Sequence, residues 1–286
     1  MRTTSIILGL CLAANQAQAQ DSLVWTLEGF ALPESVAADP STGKLYVSNM
    51  GSDPVSKNGD GRISLISVDG KLEEPDWATG LDAPKGMDVM DGKLYVADID
   101  QLVEIETASG KVTNRTVAEG AQFLNDVAAA PDGRVFVSDT FGSAVYVLEE
   151  GRLSLFVQDA ERLQGANGLL VMGDALLVAN LGDLSAGFAN IKPSSVVRVD
   201  LATKAITPYG ADGPVGVLDG IEPDGAGGVL LTDNPSGKLL DLKAGGTATE
   251  VAVVGSGAAD LEVLLDQGLA IIPITTSNQV VAVKLN

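Results

Sequence analysis

The 286-residue sequence contains no histidine and a single cysteine, Cys11. Those absences remove most of the familiar hydrolytic chemistry: no Ser-His-Asp triad, no thiolate nucleophile outside the first residues, and no His- or Cys-ligated zinc site. Basic residues are scarce as well, with 18 Lys and Arg against 38 Asp and Glu and a net charge of −20. A field of that sign repels nucleic acid and anionic lipid headgroups and favours cations. Most of the surface carboxylates need no explanation beyond solubility. Long apolar runs are missing beyond the N-terminus. Carboxylates, amides, hydroxyls and lysine remain, an inventory that suits hard cations with oxygen ligands.

The first residues predict an export signal. Met1 and Arg2 are a short basic start, Ile6 to Ala14 are almost wholly apolar, and Ala17-Gln18-Ala19 offers small residues where a signal peptidase reads. The apolar run is too short to span a bilayer, and Leu10 before Cys11 argues against lipoprotein processing. Cleavage after Ala19 leaves residues 20–286 as one domain with no cysteine, so no disulfide contributes to its stability. A chain of that length buries a sufficient core without them. Loss of Arg2 leaves 17 basic residues and a charge of about −21. The expected location is periplasmic or secreted, of bacterial type, with no membrane association after the signal is removed.

One pattern recurs through the rest of the chain: a short apolar strand, a Gly-containing turn, then a β-branched and aromatic strand ending in Asn or Asp. Its clearest copies are Gly43 to Asn49, Gly92 to Asp98 and Gly133 to Asp139; weaker ones occupy Ala175 to Asn180, Gly228 to Asp233 and Gly268 to Thr275. Repeats of about forty residues built from short strands predict an all-β, six-bladed β-propeller, whose units bury their faces only by packing around a common axis. Turn signals such as Pro131-Asp132-Gly133 and Asp91-Gly92 fall where strands must reverse. The segment around Trp25 matches that around Trp77, the outermost strand of a blade. The N-terminal strand is therefore expected to complete the last blade, which otherwise ends after three strands at Val280 to Asn286.

Aligning the copies on their first strands brings Glu34, Lys85, Asn125, Asn167, Asp219 and Asp260 to one position. Innermost strands line the axis of a propeller, so these residues are expected to converge there as a ring of five oxygen-bearing side chains and one lysine. Such a ring, with water, could supply the roughly 6 to 8 oxygens that calcium takes. Turn punctuation by Asp and Asn, or Lys85 as an internal counter-ion, are the competing structural explanations. Insertions at 50–61 and 181–194 are expected on the same face as walls or lids. Residues 56–61 have the rhythm of an EF-hand loop but lack its first Asp and closing Glu, and read as a turn.

Glu34 after a proline, Asn125-Asp126, Asn167-Gly168 and Asp219-Gly220, each opening a blade, resemble the senescence marker protein/gluconolactonase (regucalcin-like) group of six-bladed propellers, related to paraoxonases and diisopropyl fluorophosphatase. The resemblance spans nearly the whole chain after the signal. It implies calcium or a similar divalent cation bound by Glu34, Asn167 and Asp219, with Asn125 as a further ligand or substrate contact. It also implies hydrolysis of a lactone or ester, with the metal polarising the carbonyl and Asp219 as base. Two positions depart from the family: Phe123 stands where the gluconolactonase branch has an arginine, and Lys85 enters the ring, where it could weaken the metal site or position an anionic ligand. A generic lactone or ester is expected before a sugar lactone, with Asn125, Lys85 and Asp260 as substrate contacts. Two alternatives stand beside this reading: a non-catalytic propeller that binds a ligand or protein around a structural calcium ion, and a metal-free enzyme using an axial acid such as Asp260.

Overall fold

The computed structural model describes residues 22–285; the signal expected over residues 1–19, with Cys11, lies outside them. Six four-stranded antiparallel sheets surround one axis, the six-bladed propeller expected from the repeats. The second strands of the blades, Lys44–Asn49, Lys93–Asp98, Val135–Asp139, Ala175–Asn180, Val229–Asp233 and Leu269–Ile274, are the six copies recognised in the sequence. Nearly every residue in them is buried, because a strand inside a blade is covered on both faces by the neighbouring blades. That double burial explains their Val, Leu and Tyr content without strict alternation.

The ring closes between the two ends of the chain. Leu23–Glu28 pairs antiparallel with Gln279–Lys284, Glu28 opposite Gln279 and Trp25 opposite Ala282. The Trp25 indole N–H donates to the Val68 carbonyl at 3.0 Å, tying the closing blade to the first. A cluster including Phe30, Val36, Leu45, Ile271 and Ala282 buries this junction. Among the described residues no helix is long and apolar enough to cross a membrane.

The inner strands begin with a bulge, which positions the site. Pro33 pairs with Asn49 and Val36 with Val47, so Glu34 and Ser35 together face Ser48. The same two-against-one break leaves Lys85-Gly86, Asn125-Asp126, Asn167-Gly168 and Asp219-Gly220 outside the ladder in the next four blades. In the sixth, Ala259 to Leu261 fill the gap between the Ala258–Ile274 bridge and the Glu262–Ile271 pair. A bulge re-aims the side chain it carries; here it turns one residue per blade toward the axis. Hydroxyls across the ladder satisfy amides freed by the break: Ser35 N–H donates to Ser48 at 2.9 Å, and Asp126 and Gly220 N–H donate to Ser138 and Thr232 at 2.8 Å.

Candidate functional site

The axial residues separate into two levels. The upper level is the floor of a cavity of about 520 Å3 onto which Glu34, Lys85, Asn125, Asn167 and Asp219 all face. Asp260 does not share that cavity. It lines a deeper one of about 90 Å3, with Asp88, Asp126, Glu222 and Glu262. The single ring of six read from the register is therefore a ring of five above an acidic chamber. The formal charge of the upper ring, Glu34 and Asp219 against Lys85, is −1 once Asp260 is counted below.

Asp219 is the best anchored of the upper residues. Asn167 Nδ2 donates to its Oδ1 at 3.1 Å and Asn234 Nδ2 to its Oδ2 at 2.7 Å. Burial pushes its carboxyl up to about 6 against the pull of those two hydrogen bonds. Glu34 is less well served: its Oε2 is buried without a hydrogen-bond partner. Burial holds its proton affinity well above the usual carboxylate range, Asp219 and Asp260 add to the rise, and Lys85 opposes it. Asn125 is buried at the first bulge position, directly after Leu124.

Lys85 is 1% exposed, and its Nζ donates to the Ala83 carbonyl at 2.9 Å. The ammonium also lies 4.3 Å from the centre of the Phe123 ring, a favourable cation–π distance. Burial lowers its pKa to about 8, opposed by Glu34 and Asp98. It is therefore a cation at the base of the cavity that an internal ion pair does not consume.

In the lower chamber the carboxylates also bind the blades to one another. Asp88 accepts from Ala129 N–H, Asp126 from Leu169 N–H and Glu262 from Ala38 N–H, at 2.7, 2.6 and 2.7 Å, each across to the next blade. Asp260 accepts from the Ser35 hydroxyl at 2.6 Å and the Leu261 amide at 2.9 Å. Burial raises Asp88 to about 6, Glu262 to about 7 and Asp260 to about 8, and holds Asp126 and Glu222 well above the usual range.

The Asn and Asp residues that end the second strands hold the chain entering each blade. Asn49 accepts from Ala31 N–H, Asp98 from Ala83 N–H, Asp139 from Phe123 N–H and Asp233 from Val217 N–H; Asn180 donates to the Arg162 and Ser195 carbonyls. The next residue along is the one that reaches the cavity in four blades: Met50, Leu181, Asn234 and Thr275. Asn234 was not singled out in the sequence, although its place directly after the strand-ending Asp233 identifies it once the register is known. The insertions at 50–61 and 181–194 wall the cavity with Pro54, Val55, Phe188 and Ile191.

No protein-family model matches the sequence, and no curated protein matches it. Solved structures do. A putative gluconolactonase is 19% identical with a TM-score of 0.67, over 91% of this chain and 90% of that one. A gluconolactonase from Xanthomonas campestris is 16% identical with a TM-score of 0.71, over 96% and 93%. Virginiamycin B lyase from Staphylococcus aureus, solved as an inactive variant with quinupristin, is 14% identical with a TM-score of 0.59, over 89% and 95%. At these identities the likeness establishes the six-bladed fold, and the gluconolactonase neighbours match the resemblance carried by the four blade-opening motifs.

Proposed function

We propose that this chain is an exported, metal-dependent hydrolase of lactone or ester bonds. The observation that carries the reading is the buried, unpartnered Oε2 of Glu34, on the same cavity floor as an Asp219 fixed by two amides. A buried carboxylate oxygen without a donor is costly, and a hard cation removes that cost. Glu34, Asp219 and Asn167, with Asn125, are the residues that would hold it. The set fits calcium or a similar ion in donor type, two carboxylates and two amide oxygens open to added water. Among the described residues no group of three or more carboxylates is arranged to hold an ion, so the amides are essential to the set.

The ion, when bound, supplies Lewis-acid polarisation of the substrate carbonyl. The chain supplies the proton transfers. Asp219, held in place by Asn167 and Asn234, takes a proton from water as the water oxygen bonds to the carbonyl carbon. The acyl C–O bond then breaks, and the same proton passes to the departing alkoxide. Asn234 and Asn167 fix the carboxylate for both transfers, and the Lys85 ammonium offers N–H donors to negative charge on substrate or product. The gluconolactonases among the structural neighbours support the reaction class, whereas the lyases on the same fold show that the fold alone does not specify it.

A pH-stat assay over a panel of lactones and aryl esters tests the proposal, repeated with a chelator and with Asp219→Asn. Activity should fall by about 100-fold or more in the variant and be lost on chelation until calcium is restored. Turnover indifferent to both treatments overturns the proposal. Thermal stabilisation by calcium without turnover of any substrate would instead favour a binding propeller with a structural ion.

A further inference from the structure

The polar floor of the cavity continues into an aromatic wall. Phe123 lies two residues before Asn125 and is 7% exposed. Its ring stacks on Phe141, with centroids 4.5 Å apart and planes 19° from parallel. Phe141 in turn meets Phe188 at 5.8 Å. Exposure rises along the series, to 38% at Phe141 and 60% at Phe188. The three rings form one series of contacts in which Phe123 and Phe188 line the cavity and Phe141, between them, lines an adjoining pocket. They come from separate places in the chain: the entry to the third blade, the turn after its second strand, and the 3-10 turn Phe188–Asn190 of the 181–194 insertion.

The blade cores do not use these rings, since the apolar clusters at each blade junction are composed of other residues. Val55 of the other insertion, 53% exposed, also lines the cavity. Phe123 beside the polar floor and the exposed Phe188, with Val55 and Ile191, give the cavity an apolar contact surface. The charged and amide side chains, Glu34, Lys85, Asn125, Asn167, Asp219 and Asn234, are gathered on the floor, and the Thr275 and Thr276 hydroxyls already donate to the Pro33 and Ser256 carbonyls, so hydroxyls placed along Phe123, Val55 and Phe188 would lose their water without compensation.

Building on the hydrolase reading, we infer that the substrates are lactones or esters bearing an alkyl chain or aryl ring. That apolar part lies along Phe123, Phe188, Val55 and Ile191, and the carbonyl end rests on the floor. Polyhydroxylated sugar lactones are poor ligands for the same reason.

Steady-state hydrolysis of δ-valerolactone, δ-decalactone and D-glucono-δ-lactone by the full chain tests this. Each buried methylene should raise kcat/KM by about three- to fourfold. δ-Decalactone should therefore exceed δ-valerolactone by about tenfold when two of its five additional carbons are buried and by more than about 200-fold when all are, with glucono-lactone lowest. Phe188→Ala should cut the decalactone-to-valerolactone ratio by about fivefold; because Phe188 stands outside the blade cores, an unchanged melting temperature verifies folding. Hydrolysis that ignores chain length, or that favours the sugar lactone, overturns the inference and leaves the hydrolase reading standing. Calorimetry with two inert lactams, δ-valerolactam and its 6-pentyl derivative, separates the opposite case. If no lactone is turned over but the pentyl lactam binds more tightly, and Phe188→Ala removes the difference, the hydrolase reading fails and the apolar ligand class stands. Equal or absent binding of both lactams, without turnover, overturns both.

Discussion

At the scale of single residues the site depends on how Asp219 is held. Asn234 donates to its Oδ2 at 2.7 Å, and that bond lowers a proton affinity which burial raises. Asn234→Ala should therefore move the acid limb of the pH–rate profile upward, because losing a hydrogen bond to the charged form favours the protonated one. The rate above that limb should also fall by about tenfold as the carboxylate loses its fixed orientation. A profile whose acid limb stays in place would make Asn234 a packing residue rather than a positioning one. Lys85 illustrates what the sequence could and could not convey at this scale. Its register with Glu34 and Asp219 was legible from spacing alone. Its hydrogen bond to the Ala83 carbonyl and its approach to Phe123 depend on a rotamer that spacing does not determine.

At the scale of the strand, the bulge decides which side chains face the axis. The second strands were legible because continuous β-branched and aromatic residues bounded by Gly turns have few other readings. The inner strands were less so, since an extra residue breaks the two-residue period on which facing is inferred. The same break explains why Asp260 was placed level with Glu34 and Asp219. Ala259, not Asp260, follows the pair with the strand-ending Ile274 and lines the upper cavity, so Asp260 takes the second position, as Asp126 does in its blade, and its carboxylate meets the Ser35 hydroxyl. Glycine at the second bulge position also differs in role from the turn glycines. Gly43 and Gly133 have positive φ and open space beside them, whereas a Cβ on Gly168 would lie 2.4 Å from the Asp219 carbonyl oxygen of the next blade. Gly168→Ala should consequently destabilise the protein by about 2 kcal/mol through overpacking against backbone and weaken calcium binding by displacing Asp219. Melting curves and calorimetric titration with calcium measure the two effects; an alanine variant with native stability and affinity would show that the blades can part at no cost.

At the scale of the whole molecule, the axial carboxylates link stability to pH in the opposite sense from ordinary surface acids. Half-buried loop carboxylates such as Asp183, lowered to about 2 by the Ser185 and Lys192 contacts, stabilise the fold when ionised and lose that contribution as pH falls below about 4 toward 2. In the chamber, Asp88, Glu262 and Asp260 are raised to about 6, 7 and 8, above unfolded values near 4. The folded state therefore binds more protons than the unfolded state between about pH 4 and 8, and stability declines across that window as pH rises. The net charge of −20 adds self-repulsion in the same direction. In chelator the melting temperature should be highest near about pH 5 and lower by several degrees at pH 8. Glu262→Gln, which removes a titrating group while keeping the shape of the side chain that meets Ala38 N–H, should flatten the alkaline decline. A divalent cation bound only by the folded state should raise the melting temperature most at pH 8, where its ligands need not release protons to receive it. A stability curve in chelator that rises steadily from pH 5 to pH 8 would mean that the chamber carboxylates are already ionised in the folded protein, and that the blades tolerate their charge without either protons or metal.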